Sequence, residues 1–172
     1  MNRLHIVGRK NHGKTTLIVE LLHELTHRGL AVGTIKHSSH VHELDTPGKD
    51  SYRHRLAGAA VVGVLSDSVS AVYWCPDSRQ ADEYERLAPM FAGCDLVLVE
   101  GDLQTAALKL EVWRSGLGSP PLAVADQRIS GIITDDAVDG PSLRLSRRNI
   151  ARLADWVCES VLGVELAKPN PS

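Results

Sequence analysis

The sequence predicts an α/β fold: a mostly parallel sheet flanked by helices on both faces, with room for an edge hairpin. Three observations carry this reading. Short apolar runs, Leu4-His5-Ile6-Val7 and Leu96-Val97-Leu98-Val99 among them, have the length and continuity of strands buried on both sides. Stretches with one apolar face at helical spacing lie between such runs. The two kinds of segment alternate along the chain, which favours parallel strands joined by crossover helices.

Taken in order, the first run is stopped by Gly8 and reads as a buried strand. From Thr15 the apolar residues fall at Leu17, Ile18, Leu21, Leu22 and Leu25, a helix with one greasy face that Gly29 closes as a C-cap. Ala31 to Ile35 returns to strand. A polar, histidine-rich stretch follows and ends at the turn signal Pro47-Gly48. Ser51 to Ala57 reads as a short helix, Val61 to Leu65 and Val69 to Trp74 as strands, and Arg79 to Phe91 as helical. Leu96 to Val99 is a continuous apolar strand ending at Glu100-Gly101. Leu108 to Trp113 alternates polar and apolar residues, the pattern of an edge strand. Ile129 to Ile133 is the last strand. Ser146 is placed to cap a final helix whose stripe is Ile150, Leu153, Val157 and Val161. One domain over 1–165 with a frayed tail over 166–172 is the simplest organisation.

Composition narrows the function classes. With 43% hydrophobic and 23% charged residues, the 172-residue chain is ordinary globular protein. A net charge of -2, with Arg147-Arg148 the one obvious basic pair late in the chain, argues against a nucleic-acid surface. No apolar run approaches the ~20 residues of a membrane helix, and the first apolar stretch leads into a glycine loop rather than a cleavage site, so a cytoplasmic protein is expected. Cys75, Cys94 and Cys158 lack CxxC or zinc spacing and read as buried free thiols.

The chemistry-bearing segment is Gly8-Arg9-Lys10-Asn11-His12-Gly13-Lys14-Thr15. It matches the pattern G-x-x-x-x-G-K-[ST] in full and lies where that pattern must lie, after a strand and at the start of a helix. Gly8 and Gly13 let the backbone curl so that N–H groups, those of Asn11 and His12 included, point at phosphate oxygens. The helix start adds unpaired N–H groups and the positive end of its dipole. Lys14 is expected to bridge β- and γ-phosphates, Thr15 to complete the shell of a Mg²⁺ ion, and Thr16 to bond the α-phosphate. The fold expected is therefore that of a P-loop NTPase holding a purine nucleoside triphosphate. The pattern does not name the base or the reaction.

Mg²⁺ in such a site takes further carboxylates. Glu100 is the best candidate, because ligands of open α/β sheets bind at the carboxyl ends of the strands; Asp95 starts the same strand and belongs at the wrong end. Asp45 and Asp50 flank Thr46-Pro47-Gly48-Lys49 in a loop that can change order with a γ-phosphate, and Lys49 and Arg53 are further candidates for phosphate. His37, His40 and His42 invite a transition-metal reading, but no matched cysteine or histidine cluster accompanies them.

Together these segments resemble the MobB family, the molybdopterin-guanine dinucleotide biosynthesis proteins B. The resemblance runs through Val7-Gly8 to Thr16, Ile35-Lys36-His37, Asp45-Thr46-Pro47-Gly48-Lys49-Asp50-Ser51, Arg55-Leu56-Ala57-Gly58-Ala59, Asp95 to Gly101 and Lys109-Leu110-Glu111-Val112, spanning residues 3 to 160. It implies the P-loop fold class that includes dethiobiotin synthetase, GTP binding with weak hydrolysis, and a homodimer. It also implies an adapter role beside the molybdopterin guanylyltransferase, with molybdopterin as a second candidate partner. In that class the glutamate of Val-Glu-Gly and an aspartate after strand two bear on magnesium, which matches Glu100 and Asp45. The chain departs from the family where Asp102-Leu103 replaces an aromatic residue and a lysine, and where a proline before the Lys109 strand is absent. It also lacks Asn-Lys-x-Asp; Asp135 or Asp136 is left as the candidate reader of guanine.

A small P-loop kinase or ATP-dependent ligase is the alternative. Kinases of this size carry an arginine-rich lid, and between Glu100 and Ile129 the sequence offers only Arg114 and Arg128. A metallochaperone GTPase using the histidines is a third reading, weakened by the lack of a cysteine motif.

Overall fold

The computed structural model describes residues 1–38, 43–74, 83–140 and 142–164. The chain divides into two compact units: Met1–Ser38 with Ala88–Ser172, and Ser39–Leu87.

The first unit is built on a six-stranded sheet. In chain order its strands are β1 (Arg3–Val7), β2 (Val32–Lys36), β5 (Leu96–Glu100), β6 (Lys109–Val112), β7 (Gly131–Ile133) and β8 (Arg144–Leu145). In space they run β2-β5-β1-β6-β7-β8, and every pair is parallel. The chain goes from β1 to the β2 side first and later to the β6 side, so the order reverses around β1. Such a switch point is where open α/β sheets hold ligands.

One face of the sheet is covered by α1 (Lys14–His27) and α4 (Ile150–Val157), whose Leu17, Ile18, Leu21, Leu25, Leu153 and Val157 form one core with Leu4, Ile6, Leu96, Leu98, Leu110 and Val112. The helical spacing of the sequence is thus the spacing of this core. Gly29, at φ 86°, ends α1 as expected: its N–H donates to Thr26 O at 3.0 Å and Leu30 N to Leu25 O at 3.2 Å, the paired bonds of a Schellman motif. The expected cap of α4 is corrected. Asn149, not Ser146, is the N-cap, accepting from Arg152 N at 3.0 Å. Ser146 lies three residues earlier and donates instead to Asp135 Oδ1 at 2.6 Å. Leu153 and Val157 of the expected stripe are buried; Ile150 and Val161 pack partly against them, Val161 in a π-helical turn, Cys158–Leu162, that continues α4.

Leu108 to Trp113 is also corrected. It contains β6, which is not an edge but lies between β1 and β7 with all four residues buried. Its polar residues looked solvent-facing because alternation usually means one wet face. Here both polar side chains are satisfied inside. The Lys109 ammonium donates to Thr105 O, and the Glu111 carboxylate accepts from Leu122 N at 2.9 Å and Ala123 N at 2.8 Å. A buried polar group is tolerated when it is hydrogen-bonded in this way.

The second unit contains α2 (Asp50–Leu56), the antiparallel pair β3 (Val61–Val64) and β4 (Ala71–Trp74), and α3 (Glu83–Leu87). The hairpin forms its own two-stranded sheet and adds no strand to the large one. Of the three cysteines, Cys158 is buried and Cys94 half-buried, both free thiols; Cys75 lies outside the described residues.

Candidate nucleotide-binding site

The loop Gly8–Gly13 joins β1 to α1, and its curl comes from three left-handed residues: Gly8 at φ 135°, Asn11 at 69° and Gly13 at 96°. Gly8 is required twice over, since a Cβ built on it would lie 2.5 Å from the Val112 carbonyl oxygen of β6. Asn11 is the one non-glycine here, and asparagine tolerates this region better than most residues.

Lys14 turns back over the loop and donates from Nζ to Gly8 O and Arg9 O, both at 2.9 Å. Burial lowers its pKa, the Glu100 carboxylate raises it, and Lys36 lowers it again. An ammonium has three donors; the two loop carbonyls fix its position and leave one direction for an anion. Thr15 Oγ1 donates to Glu100 Oε2 at 2.9 Å, and Lys36 Nζ to Glu100 Oε1 at 3.2 Å. Parallel pairing explains the second contact, because Lys36 and Glu100 are register partners at the carboxyl ends of β2 and β5. Lys10, Asn11, Gly13, Lys14, Thr15, Thr16, Lys36 and Glu100 line one cavity of about 420 Å³. The expected residues Gly8, Asn11, Gly13, Lys14, Thr15, Thr16 and Glu100 therefore meet at one place. Asp95 lies at the other end of β5, accepting from Ala31 N at 2.8 Å.

His12 serves differently from its neighbours. Its ring is buried behind the loop: Nδ1 accepts from Arg114 N at 3.0 Å, and Nε2 faces Ser119 Oγ at 3.1 Å. Burial, then the charges of Lys14, Arg9 and Arg114, lower its pKa. The neutral ring thus ties the loop to the segment after β6, and only its backbone is left for phosphate.

Asp135 and Asp136 follow β7 and line a second cavity, of about 470 Å³, with Thr134, Ala137, Arg144 and Ser146. Asp135 Oδ1 accepts from Ser146 Oγ at 2.6 Å and Arg147 N at 3.1 Å; the Ser146 bond is the main reason its pKa is low. Asp136 Oδ2 accepts from Ser115 N at 2.7 Å.

Asp45, Lys49 and Arg53 belong to the second unit. Asp45 is buried; Oδ1 accepts from Thr46 N at 2.8 Å and Ser51 Oγ at 2.9 Å, while Oδ2 has no hydrogen-bond partner among the described residues. Lys49 precedes α2 as its N-cap, and Arg53 pairs with Asp50 at 3.5 Å; all three are exposed. His40 and His42 lie outside the described residues. His37 is exposed, its N–H bonded to Glu100 O, and the described residues contain no metal-ligating cluster.

Sequence reasoning passed over Lys36 and Arg114. Lys36 was readable only after β2 was paired with β5. Arg114 follows a buried strand that looked like an edge.

A family model for molybdopterin guanine dinucleotide synthesis protein B, MobB, matches residues 3–135. The chain belongs to the MobB family. It is 35% identical over 150 residues to the molybdopterin-guanine dinucleotide biosynthesis adapter protein of Escherichia coli strain K12, covering 86% of each chain. The protein of the same description from Haemophilus influenzae is 32% identical over 156 residues, 90% of this chain and 86% of that one. Among solved structures, a molybdopterin-guanine biosynthesis protein B aligns with a TM-score of 0.71 at 23% identity, over 92% of this chain and 99% of that one. A MobB homolog from Bacillus stearothermophilus aligns with a TM-score of 0.62 at 24% identity, over 95% of this chain and all of that one. The fold is thus that of MobB P-loop proteins. The segment between β5 and β6 is held locally: Asp102 adopts φ 60°, and the Lys109 ammonium fastens Thr105 O. No helix among the described residues is long and apolar enough to cross a membrane.

Proposed function

We propose that this MobB-family chain acts as a GTP-holding adapter in molybdopterin guanine dinucleotide biosynthesis, presenting Mg²⁺-GTP to a molybdopterin guanylyltransferase and assisting its guanylylation of molybdopterin. The observation that carries the reading is the Thr15–Glu100 pair beside Lys14 at the mouth of the glycine loop. The donors fit the ion. A hydroxyl and a carboxylate are hard oxygen ligands, and Mg²⁺ is bound by one or two carboxylates together with phosphate oxygens and water. Thr15 and Glu100 would hold it; Asp45, the other carboxylate the resemblance implies, belongs to the second unit. The ion would neutralise charge on the β- and γ-phosphates. Lys14 would bond the same phosphates and Thr16 the α-phosphate.

The Thr134–Ser146 cavity suits the base. Asp136 keeps one carboxylate oxygen for a guanine N1–H and amino group, whereas Asp135 Oδ1 is already filled. Hydrolysis by the isolated chain is slow, well below once per second by comparison with ordinary enzymes. Exposed Val61, Val64, Leu65, Val69 and Val72 on and beside the β3–β4 hairpin support a homodimer formed through that surface. A cytoplasmic location belongs to the same reading, since that is where such an adapter would meet GTP.

The test is a reconstituted assay with the transferase, molybdenum-loaded molybdopterin and GTP, with and without this chain. Product accumulates faster with the chain, and Lys14→Ala removes both GTP binding and the stimulation without changing the melting temperature. The adapter reading falls if the chain is without effect there and instead phosphorylates or ligates a metabolite using ATP at ordinary enzymatic rates.

A further inference from the structure

The segment leaving β6 is pinned at three points. Arg114 N donates to His12 Nδ1 at 3.0 Å, Ser115 N to Asp136 Oδ2 at 2.7 Å, and the Trp113 indole N–H to Ser119 O at 2.7 Å. The first bond fastens the turn to the phosphate loop, and the second fastens it to the cavity after β7. Between them, the Arg114 guanidinium lies against Gly13: a Cβ on Gly13 would sit 2.6 Å from Nη2. Gly13 lines the phosphate-loop cavity and Asp136 lines the other. Arg114 therefore stands at the seam between the two. Its side chain is exposed and forms no ion pair among the described residues. Glu20, whose carboxylate feels the Arg114 charge, is hydrogen-bonded to Arg147.

A nucleotide with its phosphates on the loop and its base in the second cavity has to cross this seam with its α-phosphate and ribose. We propose that Arg114 is a nucleotide-binding residue that clamps the α-phosphate, an assignment that rests on the nucleotide reading above. Arginine suits the task because its planar fork offers two parallel N–H donors to phosphate oxygens, and its always-charged head keeps those donors under all physiological conditions. Two bonds from the backbone of this turn fix where the side chain starts, so the ordering left for binding is that of the side chain alone. Gly13 permits the close approach; any side chain there would displace the guanidinium.

The contact predicts a distinctive pattern. GTP, GDP and GMP all carry the α-phosphate, so its loss should weaken all three by a similar factor. Calorimetry with Arg114→Met, which keeps an unbranched aliphatic side chain and removes the charged fork, and with Arg114→Ala is the test, with Lys14→Ala alongside. Both Arg114 variants should lose about 10- to 100-fold in affinity for GTP and for GDP, and Arg114→Lys should recover part of it. A loss confined to GTP would move the contact to the γ-phosphate, and a loss that spares GMP would move it to the β-phosphate; either would overturn the assignment. So would GDP affinity within about twofold of wild type in Arg114→Met while Lys14→Ala abolishes binding. If neither Lys14→Ala nor Arg114→Met weakens GDP, the nucleotide reading itself fails and takes this assignment with it.

Discussion

Replacing Glu100 by glutamine separates a metal-site carboxylate from a structural one. Glu100 accepts from Thr15 Oγ1 through one oxygen and from Lys36 Nζ through the other, and its side chain is 16% exposed. Glutamine keeps the shape. With its oxygen toward Thr15, its amide N–H₂ faces the Lys36 ammonium, donor against donor. The Lys36 side chain is 68% exposed, so loss of that ion pair costs at most about 1 kcal/mol. At about 2–4 °C per kcal/mol for a chain of this size, the melting temperature moves by only a few degrees. The effect on metal is larger. Groups that orient a metal's ligands typically contribute 10- to 100-fold in affinity, about 1.4–2.8 kcal/mol.

The sign differs without metal. Removing a negative charge beside Lys14 and Lys36 leaves the cavity more positive, so a metal-free triphosphate binds as tightly as before or more tightly. Titration calorimetry with GTP in Mg²⁺ and in EDTA gives the coupling between metal and nucleotide as a ratio of two dissociation constants. In Glu100→Gln that ratio should shrink by about 10- to 100-fold. A fall of equal size in both buffers, with the ratio unchanged, would refute the reasoning and leave Glu100 as a prop for Thr15.

Two further predictions concern the loop's frame. Gly8→Ala should lower stability by about 2–4 kcal/mol, from left-handed strain and the clash with Val112 O, a drop of roughly 5–15 °C in melting temperature; an unchanged transition would mean that β1 and β6 are not so closely apposed. The second prediction is a pH dependence. Burial lowers the pKa of both His5 and His12, so below the usual histidine value near 6.5 the unfolded chain binds more protons than the folded one. Their contribution to stability is complete above that value and is lost as pH falls through the folded pKa values. Nucleotide-free protein should therefore melt lower at pH 5.5 than at pH 7.5, and His12→Gln should reduce the difference. Glu111, raised by burial, pulls the other way, contributing stability at acid pH that is lost as pH rises; the wild-type-minus-variant comparison cancels it. A melting temperature that is flat or rises on acidification, with the same profile in His12→Gln, would count against the His12 tie.

The sequence by itself determined the phosphate loop and the core. Gly8, Gly13, Lys14 and Thr15 are required by local backbone geometry and by phosphate chemistry, both readable over eight consecutive residues. The α1 stripe and its Gly29 end are equally local, since helix periodicity and a left-handed cap depend on neighbours within a few positions. Glu100 was legible because a strand's carboxyl end is defined by the run before it. What tertiary structure decided were relations between segments far apart in the chain. β6 looked like an edge because Lys109 and Glu111 alternate with apolar residues, and only Thr105 O and the amides of Leu122 and Ala123 let those charges be buried between β1 and β7. Ser146 had the right chemistry for a helix cap, yet Asp135, eleven residues earlier in the chain, holds its hydroxyl. Lys36 reached Glu100, and Arg114 reached Gly13, through strand order alone. Strand order is set by which apolar faces bury one another over long separations, and a local pattern carries no record of that choice.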